Sequence, residues 1–305
     1  MHTKNLFIPA MLALILLTAP SAVWGFTLRF KGNPTKPVNE TYNLQSTVQV
    51  TQTATVRHRG DATDYFVTFD GGQNGEADLT GRYAAHETSA SPLNYQILDA
   101  QGAEFSNTEG FSGSFPASSQ WQEITFEYTI RFLPGQFPES GRFEDEVNLQ
   151  IYSANSTTGS PAEESAMSIR VQMDEVIDMQ IVSSGAGYGG GSPEYELSYG
   201  RLLPETTREA DLSVLANTSY NVILQSREGG SLREVSSGDA VPYLLRFSGS
   251  TVDLSTGGSV TAAAGQSPTS PNGRDYPIQI EILPYDALPA AGQYEDVITV
   301  EIQGL

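Results

Sequence analysis

The feature that most constrains this chain is a strand-like motif that occurs twice, 151 residues apart. One copy is Gly141-Arg-Phe-Glu144-Asp145-Glu-Val147-Asn-Leu149-Gln-Ile151 and the other is Gly292-Gln-Tyr-Glu295-Asp296-Val-Ile298-Thr-Val300-Glu-Ile302. Both read Gly, any residue, aromatic, Glu-Asp, and then a strict alternation of apolar with polar. Successive side chains on a strand point to opposite faces, so each copy must bury one face and wet the other. The agreement extends upstream. Leu133-Pro134 answers Leu283-Pro284, and Tyr128-Thr-Ile-Arg-Phe answers Tyr276-Pro-Ile-Gln-Ile. A period near 150 residues is a duplicated domain, because solenoid repeats are far shorter.

The rest of the chain supports two all-β domains. Residues 1–25 read as a secretory signal peptide, with Lys4 ahead of the apolar run Leu6 to Leu17 and small residues near Gly25. That run is short for a membrane span. About 280 residues remain, enough for two cores. Alternating stretches recur at Leu44 to Val56, Tyr65 to Phe69, Leu93 to Leu98, Glu123 to Phe132 and Met167 to Met173, separated by Gly and Pro turns. Tyr220-Asn-Val-Ile-Leu before Gly229-Gly230 answers Tyr65-Phe-Val-Thr-Phe before Gly71-Gly72, and Val241-Pro-Tyr243 answers Leu93-Asn-Tyr95. No window holds an apolar period near 3.6. The pattern predicts two tandem antiparallel β-sandwiches. The polar stretch from Ser153 to Ser165 has the composition of a linker, which places a first domain at 26–155, a linker at 156–165 and a second domain at 166–305. The strand Met167 to Met173 then opens the second domain, although its pattern suits pairing with either.

Charge and residue types exclude several functions. The chain carries 36 acidic and 16 basic residues, a formal charge of −20 that becomes −21 without Lys4. Such a surface disfavours nucleic acid, which needs clustered Lys and Arg. With no cysteine, thiol catalysis, disulfides and Cys-type zinc sites are all excluded. His58 and His86, in polar surroundings, read as exposed single histidines. The Glu-Asp pairs at 144/145 and 295/296 read as structural groups at strand starts, since neighbours on a strand face opposite ways and cannot oppose each other across a cleft. The segment from Asp70 to Gly81 resembles a calcium loop but lacks ligands at its third and twelfth positions, so it reads as a turn. Gly185 to Gly191 is Gly-rich, yet no helix follows it, so it is not a dinucleotide fingerprint. No catalytic constellation, metal site or cofactor motif stands out, and the chain reads as a non-enzyme that takes no cofactor.

One loop differs between the two halves. Asp99 to Gln120 holds Phe105, Phe111 and Phe115 among Gly and Ser and is followed by Trp121, whereas Ser255 to Gly273 has no aromatic residue. Aromatics in such a setting are either core that folds back or an exposed adhesive tip. The asymmetry singles out Phe105, Phe111, Phe115 and Trp121 as candidate surface-binding residues.

Three stretches of the second half carry a resemblance. They are Leu197-Ser-Tyr-Gly200 with Leu203-Pro204, Tyr220-Asn-Val-Ile-Leu-Gln-Ser with Gly229-Gly230 and Pro242-Tyr243, and Leu288-Pro-Ala-Ala-Gly-Gln-Tyr-Glu-Asp-Val-Ile-Thr-Val-Glu-Ile302. In these the chain resembles the spore coat protein U-like family, the pilin-type domains of archaic chaperone–usher fimbriae. In that family the first stretch is a strand ending in aromatic-Gly. The resemblance covers nearly all of the second half, and in the first half mainly its end. It implies Ig-like, non-catalytic domains, exported to the periplasm and assembled on the cell surface. The partners implied are a periplasmic chaperone, an outer-membrane usher and neighbouring pilin subunits. Two domains imply a tip adhesin that binds a host glycan or an abiotic surface. A secreted carbohydrate-binding module and a chaperone-independent surface coat protein are the alternatives.

A last expectation concerns Val297 to Ile302, which only Gln303, Gly304 and Leu305 follow in this sequence. An Ig-type sandwich places one more strand beside this one. The row Ile298, Val300 and Ile302 is therefore expected to line a groove completed by a donated strand.

Overall fold

The computed structural model describes residues 25–75, 81–285 and 287–305, so all of the expected signal peptide except Gly25 lies outside the described residues. Among the described residues every regular element is a β-strand. The first half holds β1 (Thr27–Phe30), β2 (Val38–Thr41), β3 (Val48–Gly60), β4 (Thr63–Phe69), β5 (Tyr83–His86), β6 (Pro92–Asn94), β7 (Gln96–Asp99), β8 (Phe111–Phe115), β9 (Ser118–Phe132), β10 (Gly141–Tyr152) and β11 (Glu163–Met173). The second holds β12 (Ile177–Val182), β13 (Thr207–Ala216), β14 (Tyr220–Ser226), β15 (Ser231–Glu234), β16 (Ala240–Phe247), β17 (Ser250–Val252), β18 (Val260–Gln266), β19 (Arg274–Ile282), β20 (Tyr294–Glu295) and β21 (Ile298–Gly304). Two of these strands, β8 and β18, lie in stretches that read as loops, Asp99 to Gln120 and Ser255 to Gly273.

The strands form two sandwiches, each with its own apolar core. One sheet of the first runs β1-β3-β9-β7 and the other β2-β11-β10-β4-β8. The second sandwich runs β12-β13-β19-β16 in one sheet, with β15 and β20 beyond β16, and β18-β14-β21 in the other. An Ig-like sandwich has strands A, B, E and D in one sheet and C, F and G in the other. The four-strand runs supply A, B, E and D in both halves. β4 and β14 take the place of C, and β10 and β21 that of F. The period-2 pattern dictates this outcome, since Val147, Leu149 and Ile151 turn inward and are fully buried while Asn148 and Gln150 stay outside.

The structure corrects the expected boundary. β11 pairs antiparallel with β10 over its whole length, from Gly141 opposite Met173 to Ile151 opposite Glu163. β2 lies parallel on its other edge. Met167, Ile169, Val171 and Met173 all belong to the first core. Residues 153–162 are thus the connection of a hairpin, and Met167 to Met173 closes the first unit instead of opening the second. A polar, small-residue stretch has the same composition whether it links two domains or two paired strands.

The repeat is held by the same hydrogen bonds in both units. Asp145 Oδ2 accepts from the Tyr95 hydroxyl at 2.6 Å, and its Oδ1 accepts from the backbone N–H groups of Gln73 at 3.0 Å and Glu146 at 2.9 Å. Asp296 Oδ2 accepts from the Tyr243 hydroxyl at 2.6 Å, and its Oδ1 from the N–H groups of Glu228 at 2.9 Å and Val297 at 2.7 Å. A fourth bond reaches each carboxylate, from Asn74 Nδ2 to Asp145 at 3.2 Å and from the Ser226 hydroxyl to Asp296 at 2.6 Å. Each Asp therefore ties the start of the closing strand to the turn after strand C. The Glu before it points out, Glu144 to Arg170 and Glu295 to Arg227. Burial pushes the Asp145 carboxyl up, against the pull of its hydrogen bonds.

The passage between the units is short. Asn217, fully buried between β13 and β14, donates its N–H to Val176 O at 3.1 Å and accepts from Val176 N–H at 2.7 Å. Its Nδ2 donates to Asp174 O at 3.0 Å, and its carbonyl accepts from Ser140 N–H at 2.8 Å. One asparagine thereby satisfies half of the polar backbone of residues 174–176, namely Asp174 O, Val176 N–H and Val176 O.

Candidate functional site

The place beside strand F separates the two units. In the first, β10 has β4 on one side and β11, in the position of G, on the other. In the second, β21 pairs with β14 from Tyr220 opposite Gly304 to Ser226 opposite Ile298. Its other edge pairs with no strand among the described residues. The consequence shows in burial. Val147, Leu149 and Ile151 are fully buried, whereas their counterparts Ile298, Val300 and Ile302 are only half-buried.

Between the two sheets of the second unit this leaves an open groove of about 760 Å³. It is lined by Ile298 and Val300 of β21, Ile278 and Ile280 of β19, Leu224 of β14 and Leu245 of β16, among others. Ile302 does not line it. That residue lies beyond the groove's end, half-buried against the core, where the start of β12 comes close: a Cβ on Gly304 would meet Glu175 and Ile177. Of Ile298, Val300 and Ile302, only the first two line this groove.

Part of the mouth is covered by irregular chain between β12 and β13. Leu197, Tyr199 and Leu202 rest on the core. The Tyr199 hydroxyl donates to Ile280 O at 2.6 Å, Tyr285 donates to Leu202 O at 3.0 Å, and Arg208 Nε donates to Ser198 O at 3.0 Å. Arg208 also lies over the Tyr199 ring, 5.5 Å from its centroid. Burial raises the Tyr199 hydroxyl to about 12 although Arg208 pulls it down. Leu197-Ser-Tyr-Gly200 is thus a flap and not the strand that the family resemblance implies.

The aromatic loop is largely core. Phe105 is 1% exposed, sits edge-on to Phe69 at 5.4 Å, and its carbonyl accepts from the buried guanidinium of Arg82. Phe115 is 3% exposed and packs on Tyr65. Phe111 is half-buried, stacked on Phe126 at 4.7 Å. The candidate surface-binding role of these three is therefore corrected. Gly and Ser around them permit the close strand contact of β8 with β4, where a Cβ at Gly113 would collide with the Tyr65 ring. Trp121 alone of the four faces outward, half-buried. His58 also departs from expectation. It is fully buried and stacked on Phe115 at 5.1 Å, with Nε2 2.7 Å from Asp61 O. His86 is half-buried against Phe143.

A scan against protein-family models finds no match, and neither does a search of curated proteins. Among solved structures the chain is similar to a chain of the chaperone–tip adhesion subunit pre-assembly complex from archaic chaperone–usher Csu pili of Acinetobacter baumannii. The identity is 12%, the likeness covers 92% of this chain and 100% of that one, and the TM-score is 0.41. It is also similar to CfaE, the adhesive subunit of CFA/I fimbria of enterotoxigenic Escherichia coli, at 12% identity over 90% and 94% with a TM-score of 0.39. The CupB6 tip adhesin from Pseudomonas aeruginosa gives 12% identity, coverage of 92% and 95% and a TM-score of 0.36.

Proposed function

We propose that the second unit is completed by a β-strand from another polypeptide, and that the protein is a non-catalytic adhesive subunit of a surface fimbria. The observation that carries this is the G position beside β21, which no strand fills among the described residues, set against its filled counterpart beside β10. A strand laid there would pair with the free edge of β21 and lower alternate apolar side chains between Ile298, Val300, Ile278 and Ile280. Each large side chain so buried contributes about 1.5–3 kcal/mol. Before assembly a periplasmic chaperone would supply the strand, after it a neighbouring subunit, with an outer-membrane usher between the two steps. The first unit has its own G strand, β11 beside β10, and its β1 is paired with β3. That closure suits a subunit at the tip.

The test is amide hydrogen exchange on the full chain, with and without 11-residue peptides of alternating apolar pattern, among them the sequence of residues 163–173. Without peptide, the amides of β21 that face away from β14 should exchange far faster than any of β10. A fitting peptide should protect them and, at a hundred times its Kd, stabilise the second unit by about 2.7 kcal/mol. Slow exchange along both edges of β21 without any donor would overturn the reading.

A further inference from the structure

The four-stranded sheet of the first unit carries a second feature on its outer face. Arg29 on β1 stands opposite Arg57 on β3, and Arg59 follows two residues along the same strand. Leu28 and His58 alternate with them and turn inward, so the three arginines share one face. Trp121 on the adjoining β9 reaches the same face beside a register shift between His58 and Gly60. The guanidinium carbons of Arg29, Arg57 and Arg59 lie 4.8, 4.7 and 4.9 Å from the Trp121 ring centroid.

These arginines differ from the others of the first unit. Arg82 pairs with Glu104, Arg142 with Glu87 and Glu144, Arg170 with Glu144, and Arg131 bonds to Gln96. Among the described residues Arg29, Arg57 and Arg59 make no ion pair, although the chain has more than twice as many carboxylates as cations. The nearby Glu123 is taken by Lys31 at 2.6 Å. The Nε of Arg57 is buried and has no hydrogen-bond acceptor. Three like charges are thus held around one indole, and one of them has a buried donor with no partner.

Its position in the fold also fits recognition. β3 runs from Val48, opposite Phe132, to Gly60, opposite Ser118. The patch therefore occupies the end of the sandwich where β3 turns into β4. The second unit is attached at the other end, where Gly141 pairs with Met173.

We infer that Trp121 with Arg29, Arg57 and Arg59 is a binding site for an acidic saccharide, a sugar bearing carboxylate or sulfate groups. Guanidinium forks match the planar or tetrahedral oxygens of these groups in paired hydrogen bonds. Trp121 adds a broad amphipathic surface with a polar N–H, suited to a sugar ring that is apolar on its faces and wet at its edge. An extended polyphosphate fits less well, since beyond this small patch it would meet the acidic remainder of the chain.

The experiment is calorimetric titration of the full chain with a heparin-derived hexasaccharide, a hexagalacturonate, neutral maltohexaose and inorganic sulfate, at low and physiological salt. At least one acidic hexasaccharide should bind with one-to-one stoichiometry, at least tenfold more tightly than sulfate, while maltohexaose does not bind. The exposed-site variant Arg29→Gln/Arg59→Gln should weaken binding at least tenfold with an unchanged melting temperature. Trp121→Leu should weaken it less at high salt than the arginine pair does at low salt. Acidic hexasaccharides that bind no better than inorganic sulfate, or equally well to the arginine variant, would overturn the assignment. So would an equal or higher affinity for duplex DNA or phosphatidylserine vesicles, which would make the patch a general anion surface.

Discussion

In the first sandwich the closing strand β10 lies between β4 and β11, and in the second its counterpart β21 has β14 on one side and a groove on the other. The two motifs that carry these strands share their glycine, aromatic residue, Glu-Asp pair and alternating tail, and both are pinned by the Asp–Tyr hydrogen bond. What differs is the neighbour. Similar sequences thus produce a closed core in one case and an accessible one in the other. A strand's own pattern sets which of its faces is apolar, and the burial of that face depends on who pairs with it.

The largest expected effect tests this difference directly. Ile151 and Ile302 are the same side chain at the same place in the repeat, one fully buried and one half-buried. Ile151→Ala should cost about 2–5 kcal/mol in a denaturant titration. Ile302→Ala should cost less than half of that, because less apolar surface is removed from water at the start. Equal losses would break the comparison.

A smaller effect is expected at the shared pin. Tyr95→Phe removes a donor from a carboxylate that is nearly inaccessible, at a cost of about 1–3 kcal/mol. Tyr243→Phe should cost about 1 kcal/mol, since Asp296 is half-buried and water can reach it. Thermal unfolding of both variants checks the order, and a reversed order would mean that the second pin is the tighter.

The flap gives a pH-dependent effect confined to one unit. The Tyr199 hydroxyl is held neutral in the fold and its pKa raised to about 12, against about 10 in an unfolded chain. A raised acid pKa means that its contribution is complete below about pH 10 and disappears as pH rises through about 12. The phenolate can no longer donate to Ile280 O, so exchange of the amides of residues 195–202 should accelerate across that window. Tyr199→Phe should remove the transition from that segment. If it persists unchanged in the variant, another group holds the flap.

The smallest effect is at the outward carboxylates. Arg170 with Glu144 and Arg227 with Glu295 are solvent-exposed pairs, and Glu144→Gln or Glu295→Gln should move stability by no more than about 0.5 kcal/mol. A loss above 1 kcal/mol in either would show that the outer face of the motif is structural too.

Much of this architecture is legible in the residues. Period-2 alternation locates β3, β4, β9, β10, β11 and β21, and the repeat pairs Tyr95 with Tyr243 before any coordinates are known. Ile298, Val300 and Ile302 share one face of their strand, as its parity dictates, and the first two line the groove. The partner of β11 is not legible, since Met167, Ile169, Val171 and Met173 would suit either core and only long-range pairing decides. Phe105 and Phe115 mislead because Gly and Ser mark both loops and tightly packed strands. The arginine cluster leaves no linear trace. Arg29, Arg57 and Trp121 are far apart in sequence and meet only through the β1–β3–β9 register.

Asn217 gives the junction a mechanical meaning. Free linkers let two bodies tumble, their separation growing as about 5–6 Å times the square root of the residue number. Here half of the backbone N–H and C=O groups of the connecting residues 174–176 are held by one asparagine, through its side chain and its own N–H. Tension applied along the chain at this point meets a stitched turn before it meets slack. A force applied to one unit would then reach the other with little of it absorbed as linker extension.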